Sequence, residues 1–411
     1  MRMTRTQKCI CCLVVVPLSV VILVLSHALQ DGFSPKGYQD YRHDNSMSET
    51  IHHWSGQQGY FGPKTNKDNV TKTCSPAQNI TFVKTHKTGS STVANILMRY
   101  GIVNDLNFAL PNKKWNSPGF NIISRAGEVL TKKYIYPLPE GEEYNILFNH
   151  AIYNRTAFRM IMPENAVYIT ILREPFRQFV SSFEYYRIDR GMVQVEPSLI
   201  NASNLISTYL ASPNLFLGKT TLFSYTKNKE AEDLGFGKEQ FFNSESFLNY
   251  LSSIENDFKL VMILEYFDES LLLLKHELCW TIRDILYIPL NANNKKTVWN
   301  FTEVDHENHR RLSHLDYALY EHFLKVFTQK LKSQGPDFFL ELSHFQMVLA
   351  NVTESCEAGA RLTVSGTVWN KPFVVDSHEC DLLRMSVISG LELLYKRAGR
   401  TDNSRNESVI V

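Results

Sequence analysis

The chain is predicted to fold as an α/β protein, with a central parallel sheet covered by helices on both faces and an N-terminal transmembrane anchor ahead of it. Three observations predict this. Between residues 78 and 345, short apolar runs alternate with amphipathic helical repeats. Each chemistry-bearing motif follows directly after one of those runs, as it would where the carboxyl ends of parallel strands open onto a crevice. A long apolar stretch also stands behind a basic N-terminal flank.

The anchor comes first. Arg2, Arg5 and Lys8 precede an apolar run over residues 9–29, long enough to span a bilayer, for which about twenty residues are needed. The run exceeds a usual signal-peptide core, and no small-x-small cleavage site follows it. A retained signal anchor is therefore expected, with residues 1–8 cytoplasmic and the rest luminal. Cys9, Cys11 and Cys12 sit in or beside the anchor, where a thiol can be palmitoylated. Residues 30–77 are polar and read as a luminal stem. Seven Asn-x-Ser/Thr triplets, at Asn69, Asn79, Asn154, Asn201, Asn300, Asn351 and Asn406, suit a secretory route. Cys74, Cys279, Cys356 and Cys380 remain outside the anchor. In an oxidising compartment they imply two disulfides with three possible connectivities. No Cys/His cluster has zinc spacing, so no metal is expected. A net charge of +1 argues against a polyanion-binding surface, hence no nucleic-acid partner. Hydrophobic content of 44% with 12% aromatics indicates an ordered core.

Strands are expected at residues 80–83, 144–148, 167–172 and 259–264. Helices are expected at 91–100, 176–186, 270–279 and about 312–331. The first helix has Val93, Ile96, Leu97 and Tyr100 on one face, with Gly101 where a C-terminal cap belongs. Residues 346–411 carry Cys356, Cys380 and a helical stretch near 382–395, and read as a disulfide-tied extension with a frayed tail.

The chemistry begins at residues 84–92, Lys-Thr-His-Lys-Thr-Gly-Ser-Ser-Thr. A loop from a strand to a helix start offers unpaired backbone N–H groups and the positive end of the helix dipole. Gly89 lets the backbone approach a ligand, Thr88, Ser90 and Ser91 add hydroxyls, and Lys87 adds charge. The bland alternative is an ordinary helix start with a surface lysine. Lys84 reads as positional or surface. A nucleotide P-loop requires Gly-x₄-Gly-Lys, whereas Lys87 precedes Gly89 and no glycine lies just upstream. The anion is thus expected to be a different phosphate ester.

Two further motifs follow strands. Leu172-Arg173-Glu174-Pro175 opens a helix with Phe176, Phe179, Val180 and Phe183 at helical spacing, and Pro175 suits its first position. Arg173 and Ser181, eight residues on, are candidates for a second phosphate, because an Arg fork matches phosphate oxygens. Asn149-His150 ends another strand, and a neutral imidazole there can take a proton from an attacking hydroxyl. The alternatives are a surface Arg173 paired with Glu174, and a structural His150.

Together these motifs resemble those of the galactose 3-O-sulfotransferases. The shared blocks are Phe-Val-Lys-Thr-His-Lys-Thr-Gly-Ser-Ser-Thr, Asn149-His150, Leu-Arg-Glu-Pro with Ser181-Ser182-Phe183, and Leu264-Glu-Tyr-Phe-Asp-Glu-Ser with Cys279-Trp280. Glu174 stands where Asp is usual, and Gly89 where Ala is common. The resemblance implies a P-loop-like sulfotransferase fold. It also implies transfer of a sulfonate from PAPS (3′-phosphoadenosine 5′-phosphosulfate) to the 3-hydroxyl of a terminal β-galactose, in the Golgi lumen. Lys87, Thr88, Gly89, Ser90 and Ser91 would hold the phosphosulfate, and Arg173 with Ser181 the 3′-phosphate. His150 would be the base and Lys87 would stabilise the leaving phosphate. His86 ranks second as base, because a residue held on the donor is badly placed to collect the acceptor's proton. The acceptor is a galactosylceramide-like glycolipid or a glycoprotein glycan, with walls expected from residues 104–124 and 189–236. Trp115, Tyr185 and Tyr186 are candidates to stack on a sugar. A homodimer is as open as a monomer. The competing readings are a sulfotransferase of uronic-acid glycans, a luminal glycan kinase and a non-catalytic glycan-binding protein.

Overall fold

A computed structural model describes residues 74–115, 121–124, 128–237, 240, 242–288 and 299–399. The predicted anchor and nearly all of the predicted stem lie outside these residues, as do Asn69, Asn406 and the predicted frayed tail. Among the described residues no helix is long and apolar enough to cross a membrane.

Four apolar runs become strands whose residues are almost all buried: β1 (Ile80–Val83), β2 (Ile146–Leu147), β3 (Val167–Leu172) and β4 (Leu260–Ile263). They form one parallel sheet in the order β2-β1-β3-β4, with Ile80 opposite both Ile146 and Val167, and Ile169 opposite Leu260. Near-continuous apolar strands are what a sheet buried on both faces requires. Helices follow in chain order: α1 (Ser90–Val103), α2 (Arg155–Arg159), α3 (Pro175–Tyr185), α4 (Ile188–Val195), α5 (Leu205–Ala211), α6 (Lys229–Asp233), α7 (Ser244–Asp257), α8 (Phe267–Leu278), α9 (Glu303–Leu312), α10 (His314–Lys332), α11 (Pro336–Ala358), α12 (Ser377–Arg384) and α13 (Val387–Arg397). The α/β class is as predicted, with helices on both sides of the sheet.

The differences in detail have physical causes. Gly101 is not a cap: α1 runs on to Val103, and Gly101 is buried where a side chain would strike Phe108 and Ile146. The helix expected at about 312–331 is α10, which starts at His314 because Ser313 separates it from α9, a helix not expected from the sequence. Thr302 and Asp305 form a capping box that starts α9.

Two apolar clusters support the elements. The larger surrounds the sheet. The smaller joins Phe176, Phe179 and Phe183 of α3 to Ile188, Met192, Tyr209, Phe216 and Phe223, and so fixes residues 175–226 over the strand ends. Disulfides join Cys74 to Cys279 and Cys356 to Cys380, which selects one of the three connectivities. The C-terminal segment includes an antiparallel pair, β5 (Leu362–Val364) with β6 (Phe373–Val375), and grips α1. Asn95 Nδ2 donates to the carbonyls of Leu382 and Met385 at 2.8 and 2.9 Å. The predicted boundary at 345/346 falls inside α11, which carries Cys356. Asn154, Asn201, Asn300 and Asn351 are exposed, while Asn79 is tied through its side chain to Asn165 and Asn145.

Candidate active site

The loop between β1 and α1 is stitched from within. Thr85 Oγ1 lies 2.7 Å from Thr88 Oγ1 and donates to the Ile171 carbonyl, while Ser90 Oγ donates to the Thr85 carbonyl at 2.6 Å. Lys87 and Gly89 both take left-handed backbone (φ 62° and 77°). Such a conformation turns successive N–H groups to one side, the geometry of an anion nest. Glycine at 89 avoids the cost of about 1–2 kcal/mol that a side chain meets there. No side chain caps the N-terminus of α1, so its dipole faces the loop directly.

Of the two readings of Lys84, positional or surface, the structure supports the first: it is 2% exposed and its Nζ donates to Ser90 Oγ at 2.9 Å. Burial first and Lys87 second lower its pKa to about 7, against the pull of Asp233. Lys87 is lowered to about 8 by burial and then by Arg173, with Glu184 opposing. Its Nζ sits 3.6 Å above the ring of Tyr185, which is 63% exposed. A place that holds two lysines below their ordinary range is a place where an anion gains free energy by binding.

Arg173 stands at the end of β3. Burial is the first cause that lowers its pKa. Its guanidinium donates to the Lys87 carbonyl at 3.0 Å, so the two motifs meet. The alternative of a surface Arg173 paired with Glu174 is set aside, because Glu174 instead caps α3 by accepting from the N–H groups of Phe176 and Arg177. Pro175 occupies the first position of that helix, as predicted. On the face of α3 turned to the loop, Gln178 Nε2 donates to the His86 carbonyl at 2.9 Å and to Ser182 Oγ at 3.1 Å. Ser181 and Tyr185 share that side by helical spacing, since residues three and four apart are neighbours.

Both candidate histidines are present and in contact. The rings of His86 and His150 stack with centroids 4.0 Å apart. His150 Nδ1 lies 3.1 Å from the Lys84 carbonyl, which can only accept, so the proton is on Nδ1. Burial, then His86, Lys84 and Lys229, hold His150 well below the usual imidazole range. His86 has a carboxylate instead. Asp233 Oδ2 accepts from the His86 backbone N–H at 2.9 Å and lies 2.6 Å from Nδ1. Burial lowers the pKa of His86 and Asp233 opposes that fall. Asp233 itself is buried, which alone would raise it, yet His86 and Lys229 bring it below the ordinary carboxylate range. It is therefore ionised, Nδ1 of His86 carries the proton, and Nε2 keeps its lone pair.

Sequence reasoning missed α6. Lys229, Glu230 and Asp233 are buried in the site, and Lys229 Nζ bonds Asp233 at 3.0 Å and Glu232 at 2.8 Å. Lys-Glu-Ala-Glu-Asp looks like a solvated charge run. The only signal was its position inside the loop region 189–236, assigned to the acceptor wall. Tyr225 was missed too. Its ring stacks on Tyr186 at 3.9 Å and lies 5.4 Å from His86, which joins Tyr185, Tyr186, Tyr225, His86 and His150 into one aromatic ribbon. Trp115 is exposed and flanked by Lys114 and Lys133.

Residues 5–357 match the Galactose-3-O-sulfotransferase family. The chain belongs to that family. Among family members, it is 32% identical over 331 residues to galactose-3-O-sulfotransferase 2 of Sus scrofa, which covers 77% of this chain and 78% of the relative. It is 34% identical over 265 residues to galactosylceramide sulfotransferase of Homo sapiens, which covers 64% of this chain and 60% of that protein. It is 31% identical over 261 residues to galactose-3-O-sulfotransferase 3 of Mus musculus, at 62% of this chain and 58% of the relative. The relatives are transferases, and this chain is an enzyme of that kind.

Proposed function

We propose that this enzyme transfers the sulfonate of PAPS to the 3-hydroxyl of a terminal β-galactose, as a Golgi membrane protein with its catalytic domain in the lumen. The observation that carries it is a convergence. Three cations, Lys84, Lys87 and Arg173, crowd an uncapped helix N-terminus, beside a histidine backed by an ionised carboxylate. The donor's phosphosulfate suits the loop from Lys87 to Ser91, and its 3′-phosphate suits Arg173 with Ser181. The family match begins at residue 5 and so includes the apolar run at 9–29, which supports the anchor.

In this reaction the galactose O3 attacks sulfur as its proton passes to an imidazole. The O3–S bond forms, the S–O bond to the 5′-phosphate breaks, and adenosine 3′,5′-bisphosphate leaves with the electron pair. Charge growing on that phosphate is met by Lys87 and the helix end. His86 is the better base, which reverses the order expected from strand position. Accepting a proton makes an imidazolium; at His86 Asp233 stabilises that charge against Lys229 and Lys84, whereas the charges acting on His150 are His86, Lys84 and Lys229 with no carboxylate among them. The ribbon of Tyr186 and Tyr225 beside His86 offers aromatic surface to the galactose ring. The acceptor is the terminal β-galactose of a galactosylceramide-like glycolipid or of a glycoprotein glycan, since relatives named for galactosylceramide and for galactose both match the chain.

The test is incubation of the full chain in detergent with radiolabelled PAPS and a panel of galactosylceramide, β-galactosyl glycans, their 3-deoxy analogues and uronic-acid glycans. Label on the galactosides and none on the 3-deoxy forms is expected. Label on uronic-acid glycans alone would move the protein to another sulfotransferase specificity.

A further inference from the structure

Glu230 is 0% exposed. Its Oε1 accepts the Arg173 backbone N–H at 2.8 Å, and its Oε2 has no hydrogen-bond partner among the described residues. The helix that carries it is braced from outside. Asp316 of α10 accepts the Ala231 N–H at 2.8 Å, and Asn228 Oδ1 accepts the Leu315 N–H at 3.1 Å in return. From the same turn, Asp233 holds His86. One short element is therefore bonded to both the arginine at the end of β3 and the histidine at the end of β1.

We propose that Glu230 is a positioning residue of the donor site, fixing the main chain at Arg173 while Asp233 fixes His86, so that the turn Lys229–Asp233 sets the spacing between the 3′-phosphate arginine and the base. It rests on the donor reading above. A carboxyl is suited to the task because its surroundings disfavour its charge, while its Oε1 stands 2.8 Å from the Arg173 N–H. Burial first, then Asp316, Glu265 and Asp233, raise its pKa well above the ordinary value, against the Arg173 N–H. Its bond goes to the main chain through Oε1 and not to the guanidinium, which donates to the Lys87 carbonyl. An ionised carboxylate there would compete for the guanidinium.

The full chain is compared with Glu230→Gln, Glu230→Ala and Glu230→Asp by calorimetric binding of adenosine 3′,5′-bisphosphate and of adenosine 5′-monophosphate, with thermal melting alongside. Glu230→Gln, neutral and of the same shape, is expected to keep the preference for the bisphosphate. Glu230→Ala loses about tenfold in bisphosphate affinity, the scale of one buried hydrogen bond near a charge, while monophosphate affinity is unchanged. Glu230→Asp carries the same expectation as Ala if the Ala variant does not fold. Equal losses on both nucleotides, or none in a folded variant, would overturn the proposal alone. A wild type that binds both nucleotides equally would overturn the donor reading and this inference with it.

Discussion

Asp233→Asn exposes the mechanism most directly. The wild-type carboxylate accepts three times, from His86 N–H at 2.9 Å, from His86 Nδ1 at 2.6 Å and from Lys229 at 3.0 Å. An asparagine amide keeps one acceptor oxygen but turns an NH₂ toward a neighbour. Because Oδ2 alone serves both His86 donors, the amide oxygen stays opposite them and the NH₂ faces Lys229, which keeps Glu232. The variant loses the negative charge that stabilises the imidazolium. A general base is typically worth ~10²–10⁴ in rate, or about 3–5 kcal/mol in the barrier. We expect kcat to fall within that range. Donor affinity should hold, since Arg173 is bonded through Glu230 instead. Folding stability should fall by about 2–3 kcal/mol from the weakened bond to the buried Lys229, with Glu232 still at 2.8 Å. The assay is steady-state sulfonate transfer with separate calorimetric binding of adenosine 3′,5′-bisphosphate. A kcat within a few-fold of wild type for Asp233→Asn and for His86→Ala would refute the reasoning. If His150→Ala were then inactive but still bound the bisphosphate, the base role would pass to His150.

Three further outcomes are expected. Lys87→Ala and Arg173→Ala should each weaken bisphosphate binding tenfold or more, about 1.4 kcal/mol or above. In the wild type that affinity should fall as pH rises through about 8, where Lys87 loses its charge; a flat calorimetric profile between pH 7 and 9 would count against it. Tyr225→Ala should raise KM for the galactoside several-fold, by about 1 kcal/mol of lost stacking, while KM for PAPS is unchanged in initial-rate kinetics. Asp316 is raised to about 7 by burial first. Its contribution is intact below its unfolded value of 3.8 and is lost as pH climbs through about 7. Asp316→Asn, permanently neutral, should therefore match wild type in Tm near pH 4 and exceed it at pH 8.

The sequence alone determined the elements that depend on neighbours in the chain. Apolar runs at 80–83 and 167–172 became β1 and β3 with the expected limits, because a strand buried on both faces must be apolar throughout. Pro175 and the phenylalanine spacing set the start and the core face of α3, and the order of strand, hydroxyl-rich loop and helix around 84–92 is the one observed. Gly101 misled because a glycine that ends a helix and one that admits a close neighbour are the same letter; only Phe108, folded against α1, shows which it is. The tertiary structure decided everything that spans distance. Lys84 is inside rather than at the surface, with its Nζ on Ser90 at the start of α1. Asp233 reaches His86 across 147 residues, and Glu230 reaches Arg173 across 57, and no local periodicity marks either pair. A charge run such as that of α6 is ordinarily solvated. Burial changed its meaning, because a charge taken out of water must find a partner, and here the partners are the residues of the site.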